Sequence, residues 1–100
     1  MKRNFKKGDR IIILVDEIPS SGGLEVEDYY KNGRGIVERV SSDGRRVYIK
    51  SYRDVTVLED GTYAFKFRKS FYFLPHQIMK DKMASALSLP RELFKWDEGT

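Results

Sequence analysis

Two Asp-Gly pairs, Asp43-Gly44 and Asp60-Gly61, each stand between runs of β-branched and aromatic residues. No other feature of the chain constrains its fold so tightly. Gly supplies the positive φ that a tight turn demands, and Asp accepts hydrogen bonds from the turn's own backbone. The first pair predicts a hairpin with arms 34–40 and 45–52; the second predicts one with arms 55–58 and 63–68. A continuous apolar run, Ile11-Ile12-Ile13-Leu14-Val15, enters through Gly8-Asp9 and reads as a buried strand. Phe71-Tyr72-Phe73-Leu74 is a further short strand, closed by Pro75.

The expected fold is therefore mainly all-β, with five to six short antiparallel strands. Strands this short leave costly open edges unless the sheet closes, so the pattern favours a small barrel. One hundred residues suffice for a single core. The barrel is expected over 1–80. The rest, 81–100, is richer in helix formers, with Asp81 as N-cap and Pro90 as breaker, and predicts a short C-terminal helical tail packed on the barrel. Between the first strand and the first hairpin lies a long segment with Ser20-Ser21-Gly22-Gly23 followed by Glu25-Val26-Glu27-Asp28 and Tyr29-Tyr30. A connection of that length points to a functional or mobile loop.

The quoted segments carry a resemblance. Phe5-Lys6-Lys7-Gly8-Asp9-Arg10-Ile11-Ile12-Ile13-Leu14 is similar to the Gly-Asp strand entry of SH3-like barrels. Gly33-Arg34-Gly35-Ile36-Val37-Glu38-Arg39-Val40, followed by Asp43-Gly44-Arg45-Arg46-Val47-Tyr48-Ile49, resembles the central hairpin of KOW- and Tudor-type members. The resemblance spans residues 5–78 and implies a small binding barrel. No Ala-Leu-Tyr-Asp-Tyr-like segment precedes the first strand, so the peptide groove of signalling SH3 domains is not implied. The Gly-Asp strand with Ile18-Pro19 and Gly22-Gly23 also resembles MazF-type endoribonucleases. The Arg-Pro pair those proteins carry in the next strand is missing, which argues against ribonuclease activity.

Charge is segregated. The net charge is +4, but residues 11–30 carry −5 and residues 31–53 carry +5. Acids collect in loop-like segments and leave the strand-like ones basic. Strand alternation sharpens this, because successive side chains point to opposite faces. In the arm 45–52, Val47 and Ile49 share one face, and Arg46, Tyr48, Lys50 and Tyr52 the other. In the arm 63–68, Tyr63, Phe65 and Phe67 are expected in the core, with Lys66 and Arg68 outside. The outer face then presents Arg46, Tyr48, Lys50, Tyr52, Lys66 and Arg68, extended by Arg34 and Arg39. Such a surface suits DNA or RNA: cations neutralise phosphates, and tyrosine rings stack on unpaired bases at ~1–3 kcal/mol each. The solvated face of any antiparallel sheet has a similar composition.

An alternative expectation is a protein-binding adaptor, or a small inhibitor of a larger bacterial machine of the sort a phage encodes. Its contacts would come from Glu25, Glu27, Asp28, Tyr29 and Tyr30 in the long loop and from Phe94 and Trp96 in the tail. Catalysis is not expected. His76 is the single histidine, and no serine or cysteine nucleophile motif accompanies it. With no cysteine there is no thiolate metal site, and neither glycine cluster opens a helix that would cradle a phosphate. No cofactor or metal is expected. No apolar run reaches the ~20 residues of a membrane helix, and the basic N-terminus lacks the apolar stretch of a secretory signal. A cytoplasmic location is the expectation.

Overall fold

The computed structural model describes residues 4–81. The fold is mainly β. Strands β1 (Arg10–Ile13), β2 (Arg34–Val40), β3 (Val47–Ser51), β6 (Phe71–Phe73) and β7 (Ile78–Lys80) form an antiparallel sheet in the order β6-β3-β2-β1-β7. Strands β4 (Val55–Val57) and β5 (Tyr63–Phe65) form a separate two-stranded sheet. Both hairpins are where the Asp-Gly pairs predict them, and both turn glycines have positive φ, +74° for Gly44 and +88° for Gly61. The expected closed barrel is not seen among the described residues: β6 and β7 are the two ends of an open sheet. The expected helical tail lies outside the described residues, apart from Asp81.

The central pair β2–β3 is buried on both sides. Val37 and Ile49 are cross-strand partners on one face. They join Ile11, Ile13, Phe71, Phe73 and Ile78 in the larger core. The long segment after β1 folds over this face. It contributes Ile18, Val26 and Tyr30, the last two from a short helix α1 (Val26–Tyr29) and its cap. Each such side chain, fully buried, contributes about 1.5–3 kcal/mol of hydrophobic stabilisation. On the opposite face, Ile36 packs with Tyr52 and Val55 in a smaller core covered by Val57, Tyr63 and Phe65 of the β4–β5 hairpin.

The edge at β6 is capped rather than exposed. The Ser20 hydroxyl accepts a hydrogen bond from the Tyr72 backbone N–H (3.2 Å) and donates one to its carbonyl (3.4 Å). A single side chain thus occupies the backbone groups through which another strand would add.

Gly35 shows how closely the layers approach. A Cβ there would lie 2.5 Å from Ile49 Cγ2, 2.8 Å from the Lys50 carbonyl and 3.3 Å from Tyr30 Cδ1. Backbone cannot move aside as a flexible side-chain end can. Gly35→Ala is expected to destabilise the fold by about 1–3 kcal/mol, read as a lower urea midpoint with unchanged slope. An unchanged midpoint would mean that the β2–β3–Tyr30 contact is looser than described.

Candidate functional site

The β4–β5 hairpin covers only half of the outer sheet face. The other half carries a ladder of alternating cations and rings. Tyr48 on β3 and Tyr72 on β6 are cross-strand partners, with ring centroids 5.7 Å apart and planes inclined at 59°. The Arg39 guanidinium lies 3.6 Å from the Tyr48 ring centroid, and that of Arg46 lies 5.0 Å from the Tyr72 centroid. Both arginines are exposed and both tyrosines half-buried. Among the described residues neither arginine has a carboxylate partner. Stacked guanidinium groups keep their N–H edges free for hydrogen bonding, which gives planar, cationic recognition of oxyanions.

A bulge aims Arg39. Val37 pairs with Ile49 and Arg39 with Tyr48, so Glu38 is the extra residue between them. Strict alternation would set Arg39 beside Val37 on the core face. The extra residue turns it outward. Arg46 is positioned by its turn: its N–H donates to the Ser41 hydroxyl (3.0 Å), its carbonyl accepts from the Ser41 N–H (2.9 Å), and Ser41 in turn donates to Asp43 (2.6 Å). The hydrogen bonds to Asp43 from Ser41 and the Arg45 backbone lower its carboxyl pKa.

Two expected members of this face are inside the protein. Lys50 and Tyr52 are each 1% exposed. The alternation that puts them opposite Ile49 holds, but the β4–β5 hairpin and the 66–70 segment cover them. Lys50 Nζ donates to the Arg68 carbonyl and lies 4.0 Å from Glu38 Oε2, while Ser70 donates to Glu38 Oε1 (2.7 Å). Tyr52 belongs to the smaller core. Arg34 is at the opposite end of β2 from Arg39, 3.7 Å from Asp81. Lys66 and Arg68 are exposed. Arg68 Nη1 approaches the buried Asp54 carboxylate to 3.0 Å. The face therefore contracts to Arg39, Arg46, Tyr48 and Tyr72, with Lys66 and Arg68 on the neighbouring loop. Tyr72 was legible as an alternating residue between Phe71 and Phe73.

The residues of the alternative expectation are divided. Glu25, Glu27 and Asp28 are exposed on the layer that covers the larger core, on the other side of the sheet from the ladder. Tyr29 and Tyr30 anchor that layer. The Tyr30 hydroxyl donates to the Ile49 carbonyl (2.7 Å), and the Tyr29 hydroxyl is 3.0 Å from Asp54 Oδ2 and 2.7 Å from the Lys69 carbonyl. Phe94 and Trp96 lie outside the described residues.

A groove of about 680 Å³ opens elsewhere, between the start of β1, the β4–β5 turn and the end of β7. Its cations Lys6, Lys7, Arg10 and Lys80 are interspersed with Asp9 and Asp81, and Lys80 is 3.7 Å from Asp9. Acids within the groove weaken its field, so it suits an anion less well than the ladder does. Among the described residues no group of three or more His, Asp and Glu is placed to hold a metal ion, and no helix is long and apolar enough to cross a membrane.

No protein-family model matches the chain, and no match was found among curated proteins or solved structures.

Buried phenols make the fold sensitive to alkali. Burial, then the Asp54 charge, pushes Tyr29 up to about 12 from 10.0. Burial raises Tyr30 and Tyr52 further, with the Asp81 charge adding to the effect at Tyr52. A folded value above the unfolded one means that the contribution is complete below pH ~10 and is lost as pH rises through the folded values. Stability is expected to fall steadily above pH ~10, with Tyr29 the first of the three to ionise in a phenolate absorbance titration. Full titration at the ordinary value in the folded protein would contradict their burial. Lys50→Glu, which sets a second carboxylate beside Glu38 in the interior, is expected to cost about 3–5 kcal/mol in thermal or urea melts. Arg46→Glu is expected to leave the melts unchanged.

Proposed function

We propose that the protein is a non-catalytic nucleic-acid-binding module that contacts DNA or RNA through the uncovered half of its outer sheet face. The observation that carries this reading is the Arg39–Tyr48–Tyr72–Arg46 ladder: two cations stacked on two adjacent rings, with no carboxylate partner among the described residues. Phosphates would pair with the guanidinium groups and bases with the aromatic and guanidinium planes. Lys66 and Arg68 would extend the cationic track. An ordinary solvated sheet face has the same kinds of residue, but nothing obliges it to stack its arginines on adjacent rings with no carboxylate partner among the described residues.

The distribution of charge supports the same reading. The acidic residues 16–28 sit on the layer over the larger core, and the ladder sits on the opposite sheet face, so a polyanion is attracted to one side and repelled from the other. The hairpin motif that resembles KOW-type domains falls on β2 and β3, which hold Arg39 and Tyr48, and is in keeping with an accessory or regulatory role.

The test is binding of a labelled oligonucleotide of about 16 nucleotides, followed by fluorescence anisotropy between about 50 and 200 mM salt. Affinity is expected to fall steeply with salt. Arg39→Glu with Arg46→Glu should weaken it at least about tenfold and flatten the log–log salt slope by about 2. Wild-type binding that is insensitive to salt, or unaffected by the double substitution, would sink the proposal.

A further inference from the structure

Among the described residues Phe67 is the most exposed large hydrophobic, at 106%, with Leu14 next at 52%. Single apolar side chains at a surface are ordinary. What sets Phe67 apart is the structure that holds it out. Strand β5 ends at Phe65. The Lys66 N–H still donates in register to the Asp54 carbonyl (2.8 Å), and the Arg68 N–H then donates to the Lys66 carbonyl (2.8 Å), a tight turn centred on Phe67 that takes the chain out of the sheet. Alternation would have buried its ring beside Phe65. Instead two buried charged groups grip the loop immediately after it. Lys50 Nζ binds the Arg68 carbonyl, and the Asp54 carboxylate meets the Arg68 guanidinium at 3.0 Å. Tyr29 secures the next residue through the Lys69 carbonyl, at 2.7 Å. The backbone that presents Phe67 is thus fixed from below, and its ring is flanked in sequence by Lys66, Arg68 and Lys69.

We propose that Phe67 is a stacking residue for an unpaired base, and that the site takes single-stranded nucleic acid in preference to duplex. This rests on the nucleic-acid reading above and specifies its substrate. In a duplex the faces of each base are already covered by neighbours. Only a single strand, loop or end offers a base to a protruding ring. The loop that carries Phe67 continues to Ser70, which binds Glu38 next to Arg39, and then to Tyr72 on β6. A strand laid along it would pass from Phe67 and its flanking cations to the Arg–Tyr ladder. A loop whose backbone is already held in place loses little conformational freedom on binding, which favours affinity.

The experiment compares labelled single-stranded DNA, single-stranded RNA and the matched DNA duplex by fluorescence anisotropy, with wild type, Phe67→Ala and the Arg39→Glu/Arg46→Glu protein. Phe67 makes no buried contact, so its truncation leaves the fold intact, and a melting curve verifies this. Wild type is expected to bind at least one single strand about tenfold or more tighter than duplex. Phe67→Ala should remove about tenfold of the single-strand affinity and leave duplex affinity unchanged. The DNA and RNA arms identify which strand is preferred. Equal affinity for duplex and single strand, or no change in single-strand affinity on Phe67→Ala, would overturn the inference while leaving nucleic-acid binding in place. Failure to bind any of the three would overturn the wider reading as well.

Discussion

Burial of the β2–β3 pair on both faces is the constraint from which the rest of the structure follows. Val37 and Ile49 need cover on one side, and Ile36 with its neighbour Lys50 on the other. Two different segments supply it. The chain between β1 and β2 folds over the first face and pins itself with Tyr30, close enough that only glycine fits at position 35. The β4–β5 hairpin is too short to cover the second face completely. What it leaves bare is the Arg39–Tyr48–Tyr72–Arg46 ladder, so the site is a consequence of partial cover rather than a cleft between elements.

Buried charge links core to surface. Lys50 and Asp54 lie inside, and both bind the 66–70 segment, one through a carbonyl and the other through a guanidinium. Leaving either without its partner would strand a charge in a low-dielectric interior. The segment therefore has a defined position although most of its side chains face solvent. That gives Phe67, Lys66 and Arg68 a fixed relation to the sheet, which a recognition surface requires and a slack loop would not provide.

Much of the fold was legible in the sequence because its signals are local. Asp43-Gly44 and Asp60-Gly61 locate both hairpins, and the Ile11–Ile13 run marks a central strand. The errors arise where local pattern meets tertiary cover. Strand alternation places Lys50 and Tyr52 opposite Ile49, correctly, but assumes that the second face is wet; a hairpin from later in the chain buries both. Alternation also misassigns Phe67, since it presumes that β5 continues past Phe65, whereas a tight turn closed by the Arg68 N–H and the Lys66 carbonyl breaks the pairing at Phe67. For Arg39 the rule would give the wrong face, and only the bulge at Glu38 turns it outward, a feature with no sequence signature here. Barrel closure was inferred from the cost of open edges, and the described sheet answers that cost at β6 by capping with Ser20 instead.

Binding at the ladder and the Phe67 loop is tested most directly by an NMR titration of isotope-labelled protein with a short single-stranded oligonucleotide, following every backbone amide. Shift changes are expected to concentrate at Arg39, 45–48, 66–70 and Tyr72, with the acidic segment 16–28 and the Lys6–Lys80 groove undisturbed. Changes centred on either of those two regions, or none at all with saturating oligonucleotide, would contradict binding at the ladder and the loop.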